Sequence, residues 1–187
     1  MTQLEVPRAA PKLHIFGVSY NSAKGHLALR ISSAWPGTEV RMLDIVSTNY
    51  RPEYVRLNPN MTVPTLEIDD KLITDSDILA AYLLENHPGA GDKKVLTAGR
   101  AGDMEEIVGL VKKWDEGMYT YGRMSGDKGG GVGAMSNLFR RIRLRQNYRG
   151  VSDPAETLPD GRTIQQAYED KLAYIDMLSS KVDVGMT

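Results

Sequence analysis

Residues 62–79, TVPTLEIDDKLITDSDIL, read as a hairpin held between two punctuation points. Leu66 and Ile68 alternate with Thr65 and Glu67, Asp69-Asp70 supplies a tight turn, and KLIT returns as the partner strand. Pro64 opens the first strand. Asp75 and Ser76 open a helix whose Ile78, Leu79, Tyr82 and Leu83 are expected on one apolar face.

Each punctuation point has a plain reading and a chemical one. Plainly, Pro64 starts a strand, and Asp and Ser are favoured helix N-caps. Chemically, Val63-Pro64 suits a cis peptide bond, because an X-Pro bond costs only about 0.5–1 kcal/mol in that form. Proline has no N–H to continue a ladder, so the backbone of Val63 can face outward and pair with an extended peptide. A helix N-terminus with a hydroxyl takes a carboxylate, and an adjacent aspartate takes an ammonium group. A ligand with an amino-acid head and a peptide middle satisfies both ends of the stretch.

Outward from the hairpin, the order of elements continues on both sides. KLHIFGV (12–18) is a short apolar run suited to a buried strand, and Ala23, Leu27, Ile31 and Ala34 recur at helical spacing until WPG (35–37). TEVRMLDIV (38–46) predicts a second strand through Val40, Met42 and Ile45. RPEYVRLNP (51–59) predicts one short helix between its prolines. The sum is β-α-β-α-β-β-α in residues 12–88. After the linker GAGDKK (89–94), strand signals stop, and residues 95–187 predict an all-helical domain. Met104, Ile107, Val108, Val111, Trp114 and Met118 mark one long amphipathic helix. Ile164, Tyr168, Leu172, Ile175 and Leu178 mark a last one, with Thr163 and Gln166 spaced as a capping box.

Composition removes several chemistries. The 187 residues include no cysteine, so dithiol redox chemistry, thiolate nucleophiles and cysteine-ligated metal sites are excluded. His14, His26 and His87 lack metal-ligand spacing. With 23 basic and 24 acidic residues the net charge is -1, which gives no general attraction to nucleic acid or anionic membranes. No segment approaches the roughly 18 apolar residues of a membrane span. The N-terminal MTQLEVPRAAP does not read as a secretory signal, so a cytoplasmic location is expected. SGDKGGGVG (125–133) lacks the Gly-Lys-Ser/Thr ending of a phosphate loop and reads as a flexible loop. The arginines at 140, 141, 143, 145 and 149 read as a solvated helix face or a partner-facing loop.

The element order, the run LNPNMTVPTLEIDDKLITDSDILAAYL (57–83) and the helical second half resemble the glutathione transferase superfamily. The resemblance implies a thioredoxin-like N-terminal domain followed by an all-α domain, and extends to a fungal-type branch. It implies that Val63 and Pro64 hold the cysteinyl part of glutathione, that Asp75 and Ser76 hold its γ-glutamyl end, and that Thr62 lies near the glycyl carboxylate. It also implies a group that activates the sulfur within VSYNSAKGHLAL (18–29), where Ser19, Tyr20 and Asn21 are the candidates. A thiol with a pKa near ~8.5 is only a few per cent ionised at neutral pH. A hydrogen bond to the thiolate, worth about 1.5–3 kcal/mol, would lower that pKa by roughly one to two. A protein without cysteine can then do thiol chemistry, since the substrate brings the sulfur.

The activity implied is conjugation or reduction of a small apolar electrophile by a homodimer, with glutathione as co-substrate and no metal. Trp114, Tyr119 and Tyr121 are either core or lining of the electrophile pocket. Departures from the family pattern define a second expectation. Thr62 stands where many members carry Lys or Gln, Asp75 where Glu is commoner, and Tyr20 where many carry Pro. The helical half also stops short, at SSKVDVGMT. A non-catalytic binding or scaffold protein on the same fold would account for these departures.

Overall fold

The structure is a computed structural model that describes residues 9–17, 19–32, 37–44, 48–85 and 131–184. The linker, the helix expected from Met104 to Met118, and Trp114, Tyr119, Tyr121 and His87 lie outside the described residues. The fold has a mixed β-α, thioredoxin-like N-terminal part followed by an all-α C-terminal part.

Two compact units make up the chain. The first carries β1 (Lys12–Ile15), α1 (Tyr20–Ser32), β2 (Glu39–Met42), β3 (Thr65–Ile68), β4 (Lys71–Ile73) and α3 (Ser76–Glu85). Its sheet runs β2-β1-β3-β4, with β1 parallel to β2 and antiparallel to β3, and β3 antiparallel to β4. The strand period puts Leu13, Ile15, Leu66 and Ile68 on one face, where they are buried with Ala28 and Leu29 of α1 and Leu79 and Leu83 of α3. Each such leucine or isoleucine contributes about 1.5–3 kcal/mol by leaving water. The Asp69-Asp70 turn is present, with Asp69 in the left-handed conformation at φ 47°.

Several expected faces are turned. Of the α1 stripe, Ala23 and Leu27 are exposed, Leu27 at 59 %, and the buried side is Ser22, Gly25, Ala28 and Leu29. Small residues form the contact because α1 packs closely on α3. Ile78 is likewise exposed while Leu79 and Leu83 are buried. β2 is an edge strand, and both Val40 and Met42 are exposed on it.

The second unit joins the 3₁₀ turn Thr48–Tyr50 and α2 (Pro52–Leu57) to α4 (Gly131–Tyr148) and α5 (Ile164–Val184). Tyr50, Val55 and Met61 are buried with Leu144, Leu158, Ile164, Ala167, Tyr168 and Ile175. The Tyr168 hydroxyl donates to the Tyr50 carbonyl, and burial holds that phenol well above its ordinary pKa. Asn49 Nδ2 donates to the Met61 carbonyl at 2.9 Å, which fixes Met61 in a left-handed conformation, φ 54°. The capping box of α5 is formed: Gln166 N–H donates to Thr163 Oγ1 at 3.1 Å, and Thr163 N–H to Gln166 Oε1 at 2.8 Å.

The glycine-rich loop is shorter than expected, because Gly131, Val132 and Gly133 are helical. Glycine in a helix costs about 1 kcal/mol against alanine, and the rest of α4 offsets it by burying Leu144. The arginines are not one solvated face. Arg140 is buried, Arg141 Nε forms an ion pair 2.7 Å from Asp176, and Arg143 stacks over the Phe139 ring.

Candidate functional site

The turn after β1 is closed from both sides. Phe16 N–H donates to the hydroxyl of buried Ser22 at 3.0 Å, and Ser19 N–H donates to the Phe16 carbonyl at 3.0 Å. Ser19 is the N-cap of α1: its Oγ accepts the Ser22 N–H at 3.3 Å and its carbonyl accepts the Ala23 N–H at 2.9 Å. Accepting a bond leaves the hydroxyl proton of Ser19 available to another acceptor. Tyr20 is 40 % exposed, and the Lys24 ammonium lies 5.3 Å from its ring centroid.

The start of α3 is built in the same way. Asp75 Oδ1 accepts the N–H of both Asp77 and Ile78 at 2.9 Å, so Asp75 is the N-cap and Ser76 the first helical residue. The plain reading of this pair as a cap thus holds for Asp75. Only one carboxylate oxygen is used, and Oδ2 has no partner among the described residues.

Three contacts bring the two helix starts together. Ser76 Oγ donates to Asn21 Oδ1 at 2.9 Å, Lys24 Nζ donates to Asp77 Oδ1 at 2.8 Å, and Gly25 lies against Leu79. The partners rise together along both helices, so α1 and α3 run parallel. Their positive ends therefore face the same place, where a helix N-terminus favours an anion and lowers the pKa of a thiol.

The Val63-Pro64 peptide bond is cis, the form the sequence reading expects. A Cβ on Gly25 would stand 3.4 Å from Pro64 Cγ and 3.1 Å from Leu79 Cδ2. Gly25 is thus the point where α1, Pro64 and α3 converge. Val63 is buried, and no hydrogen bond to its N–H or C=O occurs among the described residues. Thr62 is exposed, and its carbonyl accepts the Thr65 hydroxyl at 3.3 Å.

The structure therefore gathers Asn21, Pro64 and Ser76 around α1, with Ser19, Tyr20, Val63 and Asp75 as their chain neighbours. Sequence reasoning missed Lys24 and Gly25. A glycine inside an otherwise helical pattern was the available signal, since it marks a close approach. Among the described residues there is no cluster of His, Asp and Glu that could hold a metal, and no helix long and apolar enough to cross a membrane.

Residues 13–91 match the family described as the glutathione S-transferase N-terminal domain. No curated protein sequence matches the chain significantly. Similar solved structures include a glutathione-S-transferase from Xylella fastidiosa, 22 % identical over 92 % of this chain and 91 % of that one, at a TM-score of 0.49. Another is a glutathione S-transferase from the Antarctic clam Laternula elliptica, 14 % identical over 89 % and 77 %, at 0.48. A third is a glutathione transferase homolog from Sulfitobacter with bound glutathione, 15 % identical over 95 % and 90 %, also at 0.48. The family match covers residues 13–91, so it is the N-terminal part of this chain that is similar to a glutathione S-transferase N-terminal domain.

Proposed function

We propose that the protein is a glutathione transferase that conjugates or reduces small apolar electrophiles. The observation that carries this reading is the convergence of α1, Pro64 and the start of α3 on Gly25. The N–H and C=O of Val63, which make no hydrogen bond among the described residues, suit the cysteinyl backbone of the tripeptide. The second oxygen of Asp75 suits the γ-glutamyl ammonium, and the start of α3 at Ser76 suits the carboxylate beside it. Thr62 then flanks the glycyl end. The sulfur falls at the start of α1, where Ser19, Tyr20 and Asn21 are the donors on offer and two parallel helix ends favour the thiolate. A cytoplasmic homodimer, a fungal-type branch and domain limits of 12–88 and 95–187 belong to the same proposal.

A non-catalytic binding protein is the rival reading. It is favoured by one observation, that Ser19 Oγ and Asp75 Oδ1 are both engaged as helix caps. Retention on immobilised glutathione, followed by conjugation assays on the wild type and on Ser19→Ala and Asn21→Ala, separates the two. Retention with turnover that one of these substitutions removes supports the transferase. Retention without turnover selects the binding protein, and no retention removes glutathione from both.

A further inference from the structure

Lys171 interrupts the apolar row of α5. Ile164, Ala167, Tyr168 and Ile175 are buried at helical spacing, and Lys171 stands in the same row, buried with them. Among the described residues its ammonium forms no ion pair and has one hydrogen-bond acceptor, the Asn60 carbonyl at 3.0 Å. The nearby charge of Arg140 has the same sign, and the Tyr174 ring, 5.4 Å away, offsets only part of the cost. A charge taken out of water without an opposite charge lowers stability, so packing alone favours an apolar side chain at this position. What the lysine adds is its hold on Asn60.

Asn60 is gripped three times. Its N–H donates to Asn58 Oδ1 at 3.0 Å, its carbonyl accepts Lys171 Nζ, and its Oδ1 accepts Arg162 Nη2 at 2.8 Å. Arg162 is itself aimed by Asp160 at 2.7 Å and by Asp170 at 2.8 Å. Met61 follows, with its N–H on the Asn58 carbonyl and its own carbonyl on Asn49 Nδ2, both at 2.9 Å. All four backbone polar groups of Asn60 and Met61 are therefore bonded, although neither residue belongs to a helix or strand. Two residues further on stands Val63, whose N–H and C=O make no hydrogen bond among the described residues. The chain is thus pinned directly before the backbone groups that a peptide ligand would use.

We propose that Lys171 and Arg162 are positioning residues for glutathione: by holding Asn60 they fix the stretch of backbone that presents Val63 to the cysteinyl part of the tripeptide. The proposal rests on the functional reading above and extends it to α5 and the loop before it, whose side chains act through Asn60. A segment already held in its bound conformation spares the ligand the cost of ordering it. The stability given up by burying Lys171 then serves affinity.

The test pairs the affinity of the full chain for glutathione, by calorimetric titration, with its stability, by urea unfolding, both at neutral pH. Lys171→Met removes the donor and keeps an unbranched side chain of similar size. It is expected to raise the Kd for glutathione about tenfold, while the protein unfolds at the same or a higher urea concentration. Arg162→Gln is expected to raise the Kd about fivefold, and to raise it no further in an Asn60→Ala background. In the ligand-free protein, Lys171→Met shifts the backbone amide resonance of Val63, a readout independent of glutathione. If the wild type binds glutathione and either variant binds it as tightly, or if affinity falls only together with stability, the proposal is overturned and the functional reading stands. If the wild type binds no glutathione, both fall.

Discussion

Gly25 faces Pro64 and Leu79 at close quarters: an added Cβ would lie 3.4 Å from the proline ring, an ordinary contact, and 3.1 Å from the methyl of fully buried Leu79, which would have to give way. Alanine would gain about 1 kcal/mol in helix propensity but would push on a packed contact, at a cost of about 1–3 kcal/mol. Gly25→Ala is expected to be mildly destabilising, by about 1 kcal/mol, and Gly25→Val by more than about 3 kcal/mol. Gly25→Val should also weaken glutathione binding by displacing Pro64 from α1. Urea unfolding and calorimetric titration check this. An unchanged affinity in a folded Gly25→Val would show that the convergence is not needed by the ligand.

The element order was legible in the sequence because its marks are local. The Asp69-Asp70 turn, the proline that opens α2, the Asp75 cap and the Thr163–Gln166 box each depend on a few adjacent residues, and each is formed. The buried faces were less legible. In α1 the contact side is made of Ser22, Gly25 and Ala28, so the stripe through Ala23 and Leu27 pointed to the wrong side. Likewise Tyr50, Val55 and Met61 reveal nothing locally of their partners on α4 and α5, more than 80 residues away in the chain. At the site, the caps and the cis bond could be read from residue type. The Ser76–Asn21 bond could not, because it joins residues 55 apart whose register depends on helix packing.

In the second unit, Lys171 sits buried on α5 with its ammonium donating to the Asn60 carbonyl at 3.0 Å. Burial, reinforced by the charge of Arg140, pushes its pKa down from 10.5 to about 8. Between those values the unfolded chain holds the proton and the folded one does not, so stability rises with pH across that window. The penalty is fully present below about 8. Lys171→Met should therefore be most favourable relative to wild type at neutral pH. The difference should shrink by about 2–3 kcal/mol by a pH of about 10.5. Urea unfolding of both proteins across that range measures it, and a pH-independent difference would show that Lys171 titrates normally in the folded state.

Arg56 and Glu156 form a two-bond ion pair, at 2.8 and 2.9 Å, between α2 and the loop before α5. The Arg56 hydrogen bonds hold the Glu156 carboxyl below its ordinary pKa of 4.5. A carboxyl lowered in this way stabilises the fold above its unfolded pKa, and that contribution is lost as pH falls through the folded value. Glu156→Gln should melt below wild type at neutral pH, and the two should converge as the pH drops below about 4. Parallel melting curves with a constant offset would mean the pair is screened by solvent.

A crystal structure of the protein with glutathione bears on all of this at once. The tripeptide should lie with its γ-glutamyl ammonium on Asp75 and its carboxylate at the first N–H groups of α3. Its cysteinyl backbone should pair with Val63, and its sulfur should fall within hydrogen-bond distance of the Ser19–Asn21 segment. A glutathione found elsewhere on the molecule, or a sulfur directed away from the start of α1, would contradict the account.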